Sequence, residues 1–325
     1  MAERSIVPTV SVVIPAYRAS RDIAAALDSV LAQTFDSFEV LVVNDGSPDT
    51  AELEAALAPY RARIQYFVQP NRGAAAARNT AIRAARGRYV AFLDADDCWA
   101  PEFLVLQVGY LEAHPACGLV YADAHLSGES PSLAGRRFME TSPSTGEVTL
   151  ISLIEQRCNV LLSTVAVRRA LLLDAGLFDE SLRRGHDFDL WLRLELRGVQ
   201  IRYQRAVLAE RRIRADGLSG VAVDEVQRAL NVLDRFWRGH ALDRAACTAI
   251  RVHVMALVDR LEIEQAKQRI ADGNFRAARY HLSAAHQRSW KVRAAQVALR
   301  IAPRLLRAVY LRLRPPVWPA PVQAH

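Results

Sequence analysis

The sequence predicts an α/β fold, a mostly parallel sheet flanked by helices, followed by a helical C-terminal extension. Three observations carry this. In the first half, short β-branched runs alternate with segments of helical apolar spacing, the pattern of strands covered on both faces. From Val221 onward the spacing is almost wholly helical. The charge divides at the same place: 18 Lys plus Arg stand against 8 Asp plus Glu from residue 221 onward, which leaves 24 against 27 before it. The expectation is two domains, 1–217 and 218–325, with a slightly acidic first part and a basic second part suited to an anionic surface.

Composition narrows the class. At 325 residues and 51% hydrophobic, the chain can bury a full core. Its four cysteines, Cys98, Cys117, Cys158 and Cys247, form no CxxC pair and suit neither zinc nor a disulfide framework. They read as reduced thiols of a cytoplasmic protein. The opening "MAERSIVPTV" puts charges and a proline where a signal peptide needs an apolar core, and no later run reaches the roughly 18 apolar residues of a membrane-spanning helix. A chain neither exported by that route nor spanning a membrane is expected.

Taken in order, "VSVVIP" (Val10 to Pro15), "FEVLVVND" (Phe38 to Asp45), "IQYFVQP" (Ile64 to Pro70) and "YVAFLD" (Tyr89 to Asp94) read as buried strands. Between them, Asp22 to Gln33, Asp49 to Tyr60 and Gly73 to Gly87 have helical spacing. A helix over Pro101 to His114 and a strand over Cys117 to Asp123 follow. Residues 125–147, rich in Ser, Gly and Pro, read as a long loop of the kind that forms lids or binding loops. Helical and strand pieces continue to about Ala209.

Ligands of such sheets bind at the carboxyl ends of the strands. Those ends carry Pro15-Ala16-Tyr17, Asn44-Asp45-Gly46-Ser47, Asn71-Arg72-Gly73 and the cluster Asp94, Asp96 and Asp97. Like charges so close repel, so three carboxylates within four residues call for a positive partner. A divalent Mg2+ or Mn2+ shared with a substrate phosphate supplies one. The plainer reading is that Asp96 or Asp97 caps the helix near Pro101. Ser47 with Asp49 has the same plain reading as a turn and cap, and Arg72 and Arg78 read as solvated charges or as phosphate contacts beside a Gly73 helix start. In "GHDFDLWLRLELRG", Asp187 and Asp189 open an amphipathic helix. Periodicity favours capping there, and the sharper alternative is Asp187 as a general base.

The motifs "VSVVIPAYRASRDIAAALDSVLAQTF", "EVLVVNDGSPD", "NRGAAAARNTAI" and "GRYVAFLDADDCW", with "GLFDESLRRGHDFDLWLRL" further on, together resemble the family 2 glycosyltransferases of the GT-A fold. The resemblance is dense from residue 9 to about 125 and extends to about 215. It implies transfer of a sugar from a nucleotide-sugar, commonly a UDP-sugar, to an acceptor hydroxyl with inversion. It casts Pro15, Ala16 and Tyr17 as the loop against base and ribose, and Asp45 as the base-binding acid. Arg72, Gly73 and Arg78 take nucleotide-side contacts. Asp94-Ala95-Asp96 matches the DxD motif with Asp96 the metal ligand, and Asp187 matches the catalytic base. Two departures stand out. His186 replaces the family's Glu before the base, and Arg211, Arg212 and Arg214 stand where a histidine motif is usual, so that His186 and Arg214 become candidate acceptor or diphosphate contacts.

Residues 291–314 hold seven basic residues and no acid, with Arg293, Arg300, Arg304, Arg307 and Arg314 on one helical face and Val292, Leu299, Ile301, Leu305, Leu306, Val309 and Leu313 over the other. Followed by "PPVWPAP", this fits a segment lying on an anionic membrane, the inner face of the cytoplasmic membrane for a cytoplasmic chain, and equally an ordinary terminal helix packed on its domain. Pro303 would disturb a continuous helix. No nucleic-acid-binding module is present, and none is expected to bind. A saccharide or lipid-linked acceptor in surface polysaccharide or glycoconjugate synthesis is the expected partner. The rival readings are a catalytically silent sugar-nucleotide binder or assembly partner and, further off, a nucleotidyltransferase, whose Gly-rich loop "PAYRASRD" lacks.

Overall fold

A computed structural model of the chain describes residues 7–129, 133–213, 222–285 and 289–313. The predicted boundary near residue 217, Arg214, Arg314 and the proline-rich stretch 315–320 lie outside the described residues. The chain divides into two compact units, Met1–Ile213 and Arg214–His325.

In the first unit, β1 (Val10–Ala16), α1 (Ile23–Leu31), β2 (Phe38–Asp45), α2 (Thr50–Leu57), β3 (Gln65–Gln69), α3 (Ala74–Ala84) and β4 (Tyr89–Phe92) alternate as the apolar spacing predicts. After them come β5 (Cys98–Trp99), α4 (Phe103–Ala113), β6 (Cys117–Gly128), α5 (Phe138–Thr141), α6 (Leu150–Ile154), β7 (Ala166–Arg168), α7 (Arg169–Asp174), α8 (His186–Leu196) and β8 (Gln200–Ile213). One eight-stranded sheet runs in the order β3-β2-β1-β4-β7-β6-β8-β5. Its first part, β3 to β4, is parallel throughout, and β6 pairs parallel with β8. The pairings β4–β7, β6–β7 and β5–β8 are antiparallel, so the sheet as a whole is mixed.

The first strands are apolar on both faces because α-helices cover both. Val10, Val12, Val13 and Ile14 of β1 are fully buried, as are Leu41, Val42 and Val43 of β2. Register aligns Ala16 with Asn44 and Asp45 with Gln69, which brings the carboxyl ends of β1, β2 and β3 to one edge.

Two boundaries differ from the sequence reading. The strand expected to stop at Asp123 continues to Gly128, because β8 also runs on to Ile213 and the two pair to their last residues, Gly128 against Ile213. The expected loop 125–147 therefore begins as strand and also holds the one-turn α5. The short β5, which pairs with β8, has no periodicity to betray it in two residues.

The second unit is helical: α9 (Ala222–Gly239), α10 (Arg244–Ala271), α11 (Phe275–Ala284), α12 (Trp290–Ile301) and α13 (Pro303–Leu313). Side chains cap three of these helices, Asp243 accepting from the Ala246 N–H, Asn274 from Ala277 and Ser289 from Val292. Ala266, Ile270, Ala278, Leu282, Val292 and Leu299 form a core. The segment 291–314 is not one helix: it breaks at Ala302, and Pro303 opens α13, the one helical position where its missing N–H costs nothing. Among the described residues no helix is long and apolar enough to cross a membrane.

Candidate functional site

The loops after β1 and β2 are tied together by polar side chains. The Arg18 N–H donates to Ser47 Oγ at 2.6 Å, and the Ser20 N–H to Asp49 Oδ2 at 3.1 Å. Ser47 and Asp49 thus hold the neighbouring loop, and neither makes the side-chain cap of α2 that its position suggested. Within this frame Ala16 is buried and Tyr17 is exposed.

Asp45, at the end of β2, is buried and fully engaged. Its Oδ1 accepts from Gln69 Nε2 at 2.7 Å and from the Arg72 N–H at 3.0 Å, and its Oδ2 accepts from the Gly73 N–H at 2.7 Å. The carboxylate therefore clamps the turn between β3 and α3. Gly73 supplies the backbone for it, with φ +89° and ψ 163°, a region that side-chain-bearing residues avoid. The Arg72 guanidinium reaches out to Glu180 at 2.5 Å, and Asn79 ties the same Glu180 and the Phe178 carbonyl to α3. Glu180 lies in the quoted "FDESL", but nothing in its spacing marks it as the joint between these segments.

The carboxylate cluster stands at the end of β4. Neither Asp96 nor Asp97 caps α4, whose N-cap is Glu102, because β5 intervenes. Asp97 is buried and accepts the Arg212 N–H at 2.9 Å. Burial, with Asp94 and Asp96 beside it, pushes its carboxyl up to about 8. Asp94 and Asp96 are only partly buried.

Arg78 projects from the middle of α3 into this cluster, with its side chain only 5% exposed. Its Nη2 pairs with Asp94 Oδ1, and its Nη1 donates to His186 Nε2 at 2.8 Å. Because a guanidinium only donates, the imidazole accepts at Nε2 and carries its proton on Nδ1. Burial first and the Arg78 charge second hold the ring down to about 4, so it is neutral near pH 7. His186 Nδ1 is buried without a hydrogen bond of good geometry, although the Leu182 carbonyl lies where it favours the protonated ring.

His186 opens α8, and the next residue is Asp187. Capping does not explain this carboxylate: the N-cap is Gly185, in the left-handed region at φ +76°, and no side chain caps the helix. Asp189 is occupied in a different way, paired with Arg193 at 2.7 Å while Arg193 also donates to the Ala175 and Leu177 carbonyls. Asp187 is partly exposed, and among the described residues its side chain makes no hydrogen bond or ion pair. Of the two carboxylates in the first turn of α8, the arrangement leaves Asp187 available for chemistry and uses Asp189 to brace the helix.

The structure thus links Asp94, Arg78, His186 and, through the helix, Asp187. Asp45, Arg72 and Gly73 form a second group at the β2 and β3 ends, and Ser47 ties β2's loop to Arg18, just past Tyr17 and the end of β1 at Pro15 and Ala16. Of the three arginines that stand in for a histidine motif, Arg212 pairs with Asp22 and Arg211 lies 5.5 Å from the Phe138 ring, while Arg214 is outside the described residues. Asp22 and Ser163, whose Oγ accepts the Asp94 N–H at 3.2 Å, were not singled out by the sequence. Their partners are 190 and 69 residues away, which no local pattern reveals.

No group of three His, Cys, Asp or Glu among the described residues is arranged to enclose a metal by itself. Asp94 and Asp96, two half-exposed carboxylates, nevertheless have the oxygen donors that suit a hard divalent cation sharing its other positions with phosphate and water.

Residues 11–146 match the family model of glycosyl transferase family 2. An uncharacterized glycosyltransferase of Rickettsia typhi is 28% identical over 245 residues, covering 74% of this chain and 73% of that protein. The Escherichia coli WfgD, a UDP-Glc:alpha-D-GlcNAc-diphosphoundecaprenol beta-1,3-glucosyltransferase, is 29% identical over 229 residues, covering 70% and 86%. Three longer Rickettsia glycosyltransferases are matched over only 27 to 29% of their own length. The Pyrobaculum calidifontis mannosyltransferase PcManGT, solved with GDP-Man and Mn2+, shares the fold with a TM-score of 0.59 at 20% identity, covering 94% of this chain and 85% of that one.

Proposed function

From a chain whose residues 11–146 belong to glycosyl transferase family 2, we infer transfer of a sugar from a nucleotide-sugar, a UDP-sugar by preference, to an acceptor hydroxyl with inversion. The observation that carries this is the pairing of two differently prepared carboxylate sites. At one, Asp94 and Asp96 present carboxylate oxygens beside the buried Asp97 at the end of β4. At the other, Asp187, unpaired among the described residues, stands at the mouth of α8, held in relation to the first through His186 and Arg78.

In this reading Asp187 accepts the proton of the acceptor hydroxyl as its oxygen attacks the anomeric carbon. The carbon–oxygen bond to the diphosphate breaks, and its electron pair leaves with the nucleoside diphosphate. One displacement inverts the configuration, and no covalent enzyme intermediate forms. Asp96, with Asp94 beside it, would hold a divalent cation, Mn2+ or Mg2+, which when bound supplies positive charge to the leaving diphosphate. Arg78 pairs with Asp94 and orients it. Tyr17, Ala16 and Pro15 border the base and ribose, and the Asp45 clamp fixes the turn bearing Arg72 and Gly73 on the nucleotide side. Asp45 therefore reaches the nucleotide through this turn or by releasing a donor to the base.

The E. coli relative named for UDP-Glc and a diphosphoundecaprenol-linked acceptor supports UDP as carrier and a lipid-linked saccharide as acceptor, as surface polysaccharide synthesis would use. The Mn2+ of the mannosyltransferase supports the cation. The test is thermal stabilisation by UDP-, GDP-, dTDP- and CDP-sugars with Mn2+, Mg2+ or a chelator, on wild type and Asp96→Ala. Metal-dependent stabilisation by a UDP-sugar, lost in Asp96→Ala, is expected. Absence of stabilisation by every nucleotide would overturn the reading in favour of an assembly role.

A further inference from the structure

Helix α12 is apolar on two opposite sides. Val292, Ala295 and Leu299 face the core of the helical unit. On the opposite side, Trp290, Ala294, Val297 and Ile301 follow one another at spacings of four, three and four, which places them in one stripe. Trp290 is 75% exposed, Val297 53% and Ile301 79%, and Ala294 is exposed as well. A second apolar stripe on an exposed helix has no folding purpose within the unit, because the core already takes the first. Cations border it: Arg293 and Arg300, seven apart, are exposed along one flank, and Lys291 lies with its Nζ 5.9 Å from the Trp290 ring. The next helix, α13, adds the exposed pair Leu305 and Val309, four apart, with exposed Arg304 and Arg312. From Trp290 to Leu313 there is no acidic residue.

We propose that the outward stripe of α12 docks on an anionic phospholipid surface. The chemistry selects this occupant. A tryptophan and aliphatic residues on one side with cations at the flanks is the arrangement of a helix lying in a headgroup layer, where apolar tips reach the acyl boundary and arginines meet phosphates. A second copy of the chain would bring two acid-free, strongly basic stripes face to face, and like charges oppose that contact. Nucleic acid would meet the cations but offers nothing to a row of tryptophan, valine and isoleucine. The inference does not rest on the transferase reading and adds to it a means of bringing the chain to bilayer-borne acceptors.

The full-length chain is mixed with vesicles of phosphatidylcholine alone and of phosphatidylcholine with an equal part of phosphatidylglycerol, and the bound fraction is read by cosedimentation. Binding to the anionic vesicles, weak binding to the neutral ones and a fall with added salt are expected. Ile301→Asp should lower the affinity more than about tenfold through lost apolar insertion and added repulsion. Arg293→Gln and Arg300→Gln should lower it about fivefold each. Ile301 is exposed, so the fold should survive; circular dichroism checks this, and Ile301→Ser serves if the aspartate variant unfolds. Failure of wild type to bind anionic vesicles, binding unchanged in the folded Ile301 variants, or a wild-type dimer that Ile301→Asp dissociates without any vesicle binding would each overturn the proposal.

Discussion

At Arg78 a buried guanidinium faces a carboxylate on one side and a neutral imidazole on the other. A Glu at position 186, usual in the family it resembles, would give the arginine a second anion; His186 leaves Asp94 as its charged partner in the contacts described. Removing the cation strands Asp94, so Arg78→Met is expected to cost on the order of 2 kcal/mol in denaturant unfolding. That is below the roughly 3–5 kcal/mol of a fully buried broken pair because Asp94 still reaches water. The imidazole makes a pH prediction. Its pKa is held down to about 4 by burial and by Arg78, against an ordinary value of 6.5. Between those values the unfolded chain binds the proton and the folded chain does not. Stability from this group is complete above about 6.5 and is lost as the pH falls toward about 4, on the order of 1–3 kcal/mol. Unfolding of wild type and His186→Gln compared at about pH 7 and about pH 5 checks it: the variant should lose less stability on acidification. None of this was legible in the sequence, where Arg78 reads as a solvated charge or a phosphate contact. Its contacts bring in His186 of α8, 108 residues further along the chain.

At the scale of elements, the parallel first half was legible because its signals are local: β-branched runs, helical spacing and polar strand ends. The capping readings failed for a physical reason, since a side-chain cap must stand at the N-cap itself, just ahead of the first turn. Asp96 and Asp97 are separated from α4 by β5, and Gly185 takes the N-cap of α8 ahead of Asp187. The far half of β6, Ala124 to Gly128, and the length of β8 were hidden because Ser, Gly and charged residues weaken their alternation, and only their pairing sustains them. The turn between β3 and α3 offers a test of element geometry. Space around Gly73 is open, so a methyl there meets no neighbour, yet its φ of +89° is unfavourable for any other residue. Gly73→Ala should destabilise by about 1–3 kcal/mol through backbone strain alone. Thermal unfolding measures this, and a loss of UDP-dependent stabilisation beyond it would show the turn contributes to the nucleotide side.

Across the whole molecule, the chain carries an α/β unit matched by the glycosyl transferase family 2 model over residues 11–146 and a helical unit of opposite charge character. The division into an acidic part and a basic part was visible in composition, whereas the two-sided character of α12 was not. A single wheel over 291–314 merges inward Leu299 and Leu306 with outward Ile301 and Leu305, and only the break at Ala302 separates them. The central claim concerns Asp187, because a nucleotide-binding chain without a base would share every other feature of the site. The most direct measurement is transfer to an acceptor together with UDP binding in Asp187→Asn. The account predicts transfer lowered by about 10²–10⁴-fold with UDP binding unchanged. Transfer at the wild-type rate in that variant would contradict it.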